Sequence, residues 1–375
     1  MQKYSYFDDA ATTQISKHSL DEYTSTALNY IGNPSSTHSL GREAKAKLEE
    51  AREDIAKCLN IKAKQLFFTS GATESIAIVI SSLLWAKTPG EVIFSQIEHE
   101  ALLSWKQILI EKGWTVKTIK AKGGFVNPKE LEDMISERTK LIAIQLVSNV
   151  TGAIQDIKSL VSVTREKEKE YGKKIFFFTD AVQALGKVPF SLTELDVDGA
   201  SFSSHKIAGP RGIGALYLKK AAIQVLAKGG GQESGVRGGT ENLPAIRAFA
   251  VALKDAMKKD DHILSIYNKV RDILQSGDIK IISPSENTSP FILSITTPLP
   301  SEVMTRMLKD RNYCVSSGSA CSNNAKGKAE DVILAMGFTP KEAMGVIRIS
   351  FFHTSEEEEA IKLANEIVNI VKDFK

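Results

Sequence analysis

Lys206 stands in the run SSHKIAGPRGIGALYL, after an apolar strand-like segment and before a Gly-Pro turn. In α/β proteins, strand ends that meet loops are where ligands sit. A lysine there forms a Schiff base when its surroundings lower its pKa, and is otherwise a solvated turn residue. Asp180 closes a second apolar strand, KIFFFTD. A carboxylate leaving so apolar a strand needs a partner, because an unpaired buried charge is costly. A salt bridge or a helix cap would serve; so would a pyridinium nitrogen. A lysine Schiff base with an acidic partner for a pyridinium is the binding signature of pyridoxal phosphate.

Such a cofactor needs a phosphate cradle. FFTSGATES places Ser70, Gly71, Ala72 and Thr73 between a strand and a helix, where free N–H groups and the helix dipole favour an anion. Ser203 and His205, beside Lys206, can add contacts to the same phosphate. His99, in SQIEHEALL, follows another strand and is placed either to stack on a ring or to play a structural part. Arg348, among the apolar residues of GVIRISFF, calls for a carboxylate from the protein or from a substrate. Cys321 lies in VSSGSACSNNAKGKAE, with nothing apolar to cover it. A thiol in a polar loop is kept for reactivity rather than packing. Cys58, in a helical pattern, and Cys314, in a strand, read as packing residues.

These residues need a scaffold of strands and helices. From residue 41 to about 225 the two patterns alternate, which argues for a mainly parallel sheet with helices on both faces. GREAKAKLEEAREDIAKCLN reads as an amphipathic helix with Ala46, Leu48, Ala51, Ile55 and Leu59 inward. After residue 240 the rhythm changes. PAIRAFAVALKDAMKKDDHILSIYNKVRDILQ reads as one long helical stretch, and KIIS, FILSIT and VIRISFF as strands. A final helix is expected to begin at Thr354, capped with Glu357, with Ile361, Ala364, Val368 and Val371 in one stripe. The division expected is a large cofactor domain over residues 16–250 and a smaller α+β domain of 1–15 plus 251–375, carrying the Cys321 loop.

The composition fits a globular protein of 375 residues: 42% hydrophobic, 25% charged. A net charge of +3 gives no case for nucleic acid or a membrane surface. Three cysteines make no disulfide framework, so a reducing, cytoplasmic compartment is expected. The N-terminal MQKYSYFDDAATT has no signal-peptide pattern, and no apolar run reaches the roughly 18 residues a membrane span needs. No metal site is expected.

Between YFDDAATT and TSEEEE, eight stretches occur in order: GNPSSTHSLGREA, FTSGATES, IEHEALL, GAIQDI, TDAVQALGK, SFSSHKIAGPRGIGALY, GGGQESGVRGGTEN and VSSGSACS. Together they resemble the pyridoxal-phosphate cysteine desulfurases of the class V aminotransferase group, with fold type I. The resemblance implies that Lys206 carries the cofactor and Asp180 pairs with its ring nitrogen. Gln183 approaches the phenolic oxygen, His99 stacks on the ring, and Ala72, Thr73, Ser203 and His205 hold the phosphate. Thr240 is implied to reach the phosphate bound by the other subunit of a homodimer. Asn149, beside the cofactor, and Arg348 take the substrate carboxylate, with Asn33 near the substrate entrance. Cys321 is implied to receive sulfur from L-cysteine as a persulfide, releasing alanine. Its loop then hands the sulfur to an acceptor protein serving iron–sulfur assembly or tRNA thiolation.

The pattern is not intact. Ser148-Asn149-Val150-Thr151-Gly152 lacks an acidic residue usual in the group, and Phe352-His353 replaces a Gly-Arg pair. The alternatives are a selenocysteine lyase, a related β-lyase or aminotransferase, or a catalytically weak, cofactor-bound scaffold for sulfur transfer.

Overall fold

The computed structural model describes residues 4–220, 223–225, 228–258, 261–317 and 328–374. Its largest sheet has seven strands: β2 (Leu66–Thr69), β3 (Glu91–Ser95), β4 (Thr115–Ile119), β5 (Thr139–Ala143), β6 (Phe176–Asp180), β7 (Gly199–Ser203) and β8 (Gly214–Leu218). The order is β2-β8-β7-β6-β5-β3-β4. Only β8 runs against its neighbours, β2 and β7. The carboxyl ends of β2, β3, β5, β6 and β7 therefore share one edge, the edge where ligands bind in such sheets. Both faces are covered, which is why the strands read as continuous apolar runs. Ile93, Ile142 and Phe177 belong to one buried cluster, and Phe94, Leu141 and Phe178 to the opposite one.

A second, antiparallel sheet has the order β12 (Ser316–Ser317), β13 (Val346–Ser350), β10 (Ile292–Thr296), β9 (Lys280–Ile281). It shares a third buried cluster with the helices His262–Ser276 and Glu357–Phe374. A short parallel pair joins β1 (Ser5–Tyr6) to β11 (Tyr313–Cys314). The chain then runs as a strap from β13 to the turn after β7. The Ala10 amide donates to Ser350 Oγ at 2.9 Å, and the Thr13 amide to the His205 carbonyl at 2.9 Å.

Several local expectations change. In the helix Ser39–Cys58, Ala44 is buried instead of Ala46, which is exposed. Ala44, Leu48, Ala51 and Ile55 keep one face at helical spacing, whereas Ala46 is turned about 200° from Ala44. The long helical stretch is two helices, Leu243–Ala256 and His262–Ser276. The last helix begins at Glu357, not Thr354, and the Glu357 carboxylate bonds Lys269 and Ser265 across to the neighbouring helix instead of closing a capping box. A tertiary ion pair has displaced the local cap.

Candidate active site

A cavity of about 500 Å³ opens at the shared strand edge. Most of its lining comes from the ends of strands and the segments that follow them, with Arg348 added from β13. The turn Ser204–Lys206, directly after β7, brings His205 and Lys206. Lys206 Nζ donates to the carbonyls of Ala10, at 2.7 Å, and Ala11.

Asp180 ends β6 and faces Ser201 on β7. Its Oδ1 accepts from the Val182 amide at 3.0 Å and from Ser201 Oγ at 3.2 Å, which leaves Oδ2 for the cavity. Burial pushes its carboxyl pKa up, opposed by these hydrogen bonds and by His99 and Lys206. A carboxylate held this way gains most from a cationic partner in the cavity.

His99 caps the helix Glu100–Leu103, its Nδ1 accepting from the Ala101 amide at 3.0 Å. In the neutral ring that bond puts the proton on Nε2. The imidazole remains open to the cavity, yet the surrounding protein lowers its pKa; Lys206 lowers it further and Asp180 opposes. His205 bonds Thr12 Oγ1 at 3.1 Å, and burial brings its pKa down to about 4, so it is neutral near pH 7.

After β2, Gly71 is the N-cap of the helix Ala72–Ser82 and supplies no side-chain cap. Its φ of +153° suits glycine. It packs backbone to backbone on β8, since a Cβ on Gly214 would lie 2.6 Å from Gly71 Cα. The uncapped helix start, with Ser70, Ala72 and Thr73, thus lines the cavity beside Ser203. After β5 come Gln145 and Asn149. Arg348 enters from β13, and Nη1 donates to the Asn149 carbonyl and Nη2 to Asp8 Oδ1, both at 2.8 Å. Its Nε is buried without a partner.

These residues fit pyridoxal phosphate. The cavity offers an amine, a carboxylate that burial makes eager for a cation, an uncapped helix N-terminus with hydroxyls for a phosphate, and an orphaned guanidinium N–H for a carboxylate.

The structure brings Lys206, His99, Asp180, Gln183, Ala72, Thr73, Ser203, His205, Asn149 and Arg348 to this one cavity. It does not bring Thr240 and Asn33 there: both are exposed, and Asn33 Nδ2 donates to Thr240 Oγ1 at 3.5 Å. Cys321 lies outside the described residues. Cys58 and Cys314 are half-buried, and burial raises both thiol pKa values. Val150 packs in the core, its carbonyl accepting from Ser294 Oγ. His353 sits edge-on to Phe291 and Phe352 and bonds the Gly186 carbonyl at 3.1 Å.

Sequence reasoning missed Asp8, the Ala10 and Ala11 carbonyls, and the buried Asp9 and Lys187. The adjacent acids of YFDDAATT were the only local signal for the strap. Among the described residues there is no cluster that could hold a metal ion, and no helix long and apolar enough to cross a membrane.

The chain matches the Aminotransferase class-V family over residues 5–363. It is 36% identical to a NifS/IcsS protein homolog of Lactobacillus delbrueckii subsp. bulgaricus, covering 98% of this chain and 97% of that protein. It is 33% identical to a protein named cysteine desulfurase IscS from Dictyoglomus turgidum, covering 96% and 92% respectively. Among solved structures, a NifS-like protein superposes with a TM-score of 0.90 at 35% identity, covering 99% of this chain and all of that one. A structure titled SspA in complex with cysteine gives 0.79 at 30% identity, covering 92% of this chain and 98% of that one. With a family match spanning the strap, the strand-edge cavity and β13 alike, the chain belongs to the class V aminotransferases, in the cysteine desulfurase group.

Proposed function

We propose that this protein is a cysteine desulfurase that takes sulfur from L-cysteine with pyridoxal phosphate, leaving alanine and a persulfide on Cys321. The observation that carries this reading is the convergence of Lys206, Asp180 and an uncapped helix N-terminus on one cavity. Pyridoxal phosphate bound there supplies an electron sink for the substrate α-carbon. Asp180 holds a proton on the ring nitrogen, and Gln183 offers an amide N–H to the ring oxygen. Ala72, Thr73, Ser203 and His205 bind the phosphate through N–H and hydroxyl groups. His99 provides a neutral imidazole suited to stack on the ring.

Arg348, with Asn149, orients the substrate carboxylate, and Asn33 stands toward the entrance. Lys206 moves the proton at the substrate α-carbon. The Cys321 thiolate attacks the substrate sulfur. The carbon–sulfur bond breaks, its electron pair stays with the β-carbon, and protonation there yields alanine. One thiol and one cysteine thus become one persulfide and one alanine, with no outside oxidant.

A large domain over 16–250 and a smaller one of 1–15 plus 251–375 remain the proposed division. The separate core shared by the second sheet and the helices His262–Ser276 and Glu357–Phe374 favours it, while Leu253 and Ala256, on the helix Leu243–Ala256, pack with the large domain. Thr240, exposed and not among the residues lining its own cavity, suits the phosphate site of a second copy, so the working form is a homodimer. The sulfur passes to an acceptor protein, an iron–sulfur scaffold or a tRNA-thiolation protein, in the cytoplasm.

The deciding experiment incubates the protein with pyridoxal phosphate and L-cysteine, and follows alanine and sulfide together. Lys206→Ala should make neither and should lose the covalent cofactor linkage trapped by borohydride. Trapping at another lysine would overturn the Lys206 assignment. Failure of wild type to release alanine would overturn the function. Running selenocysteine in parallel separates a selenocysteine lyase.

A further inference from the structure

Lys187 is a buried amine that the chemistry above does not use; the residue is 9% exposed. Its Nζ donates to Gln183 Oε1 at 2.9 Å. Gln183 is buried too, and its Nε2 donates to the Ala10 carbonyl at 2.9 Å. The same carbonyl accepts from Lys206 Nζ at 2.7 Å. A carboxamide has one acceptor end and one donor end with two hydrogens. Lys187 occupies the acceptor and the Ala10 carbonyl takes one hydrogen. The second hydrogen is left for the cavity that Gln183 lines. Without Lys187, Oε1 would be a buried acceptor with no donor, and turning the amide toward the cavity would relieve that cost.

We propose that Lys187 is a positioning residue that clamps the Gln183 carboxamide, so that an N–H and not the carbonyl oxygen is presented to the ring oxygen of bound pyridoxal phosphate. The inference rests on the cofactor reading above. Asp9, Lys206 and Arg348 are the charged groups acting on Lys187. Burial, then Lys206 and Arg348, bring its pKa down to about 7, with Asp9 opposing. The clamp survives that titration, because the amine donates N–H in either protonation state.

The test titrates the absorbance of the bound cofactor against pH in wild type, Lys187→Met, Gln183→Leu and the double variant. It adds equilibrium dialysis of pyridoxal phosphate against the cofactor-free proteins. Losing the donor makes the ring oxygen more basic, so Lys187→Met should move the titration midpoint upward by about one pH unit and weaken cofactor binding severalfold. Gln183→Leu should shift equally, and the double variant no further, since both remove the same N–H. Lys187→Leu also withdraws the donor; it should shift in the same direction and stands in if the methionine variant does not fold, whereas Lys187→Gln, whose amide keeps an N–H, should shift less. A wild-type midpoint in the Lys187 variants, or shifts that add in the double variant, would overturn the proposal alone. Wild-type protein that binds no pyridoxal phosphate would overturn the functional reading and this inference with it.

Discussion

Arg348 and Asp8, 340 positions apart in the chain, are joined by a 2.8 Å bond from Nη2 to Oδ1, with the arginine side chain only 7% exposed. The Asn149 carbonyl takes a second bond, so the guanidinium plane is fixed from two sides while its buried Nε stays unpartnered. A planar donor fork held this way is pre-set for a carboxylate.

Replacing Asp8 by Asn keeps an acceptor but removes the charge that fixes Arg348. The KM for L-cysteine should rise about tenfold, with kcat changed far less, because the loss falls on carboxylate binding. Steady-state kinetics on the purified variant checks this. A KM at or below wild type would show that Asp8 competes with the substrate instead.

Asp180→Asn should fold and bind pyridoxal phosphate, yet lose several orders of magnitude in alanine formation. The amide cannot hold a proton on the ring nitrogen, so the electron sink weakens. Cofactor absorbance and single-turnover alanine release measure the two halves separately. Near-wild-type turnover with the cofactor fully bound would remove Asp180 from this role.

Glu98 is buried one residue before His99, and its Oε1 accepts from Ser95 Oγ and from the Gln145 amide. Burial raises its pKa from 4.5 to about 8, against those hydrogen bonds. The folded state therefore keeps a proton that the unfolded chain releases, and stability falls as pH rises between these two values. Glu98→Gln keeps the acceptor and cannot ionise. Its advantage over wild type should grow from pH 5 to pH 8, by on the order of a few kcal/mol at most. Melting temperatures across that range test it; a constant gap would show that Glu98 is ionised in the folded protein.

Cys321→Ser should still bind the cofactor and L-cysteine but carry no persulfide, because a hydroxyl is a poor nucleophile toward sulfur. Cys58 and Cys314 are weak rivals, since burial raises both thiol pKa values and lowers the thiolate fraction. Mass spectrometry after cysteine treatment should place the added sulfur on the Cys321 peptide alone. Sulfur on either other cysteine, or sulfide made at the wild-type rate by Cys321→Ser without added thiol, would overturn the assignment.

The sequence alone was enough for the doubly covered sheet. Runs such as KIFFFTD and LIAIQLVS are apolar at successive positions, which only a strand buried on both faces requires. It was also enough to gather Lys206, Asp180, His99 and Thr73, because Asp180 ends a strand, the other three come soon after one, and parallel strands bring such positions to one edge. Local signals failed where a distant partner outweighed them. Thr354 offers a good cap, but Glu357 is drawn to Lys269 on a neighbouring helix. Tertiary structure decided what Arg348 leans on and what steadies Gln183. Asp8 reaches Arg348 only because residues 5–8 pair with β11 and meet the end of β13, and the Ala10 carbonyl reaches Lys206 and Gln183 only because that strap then crosses to the turn after β7. Contacts between residues so far apart carry no period or spacing in the chain; they exist only once both sheets are packed and the strap is laid between them.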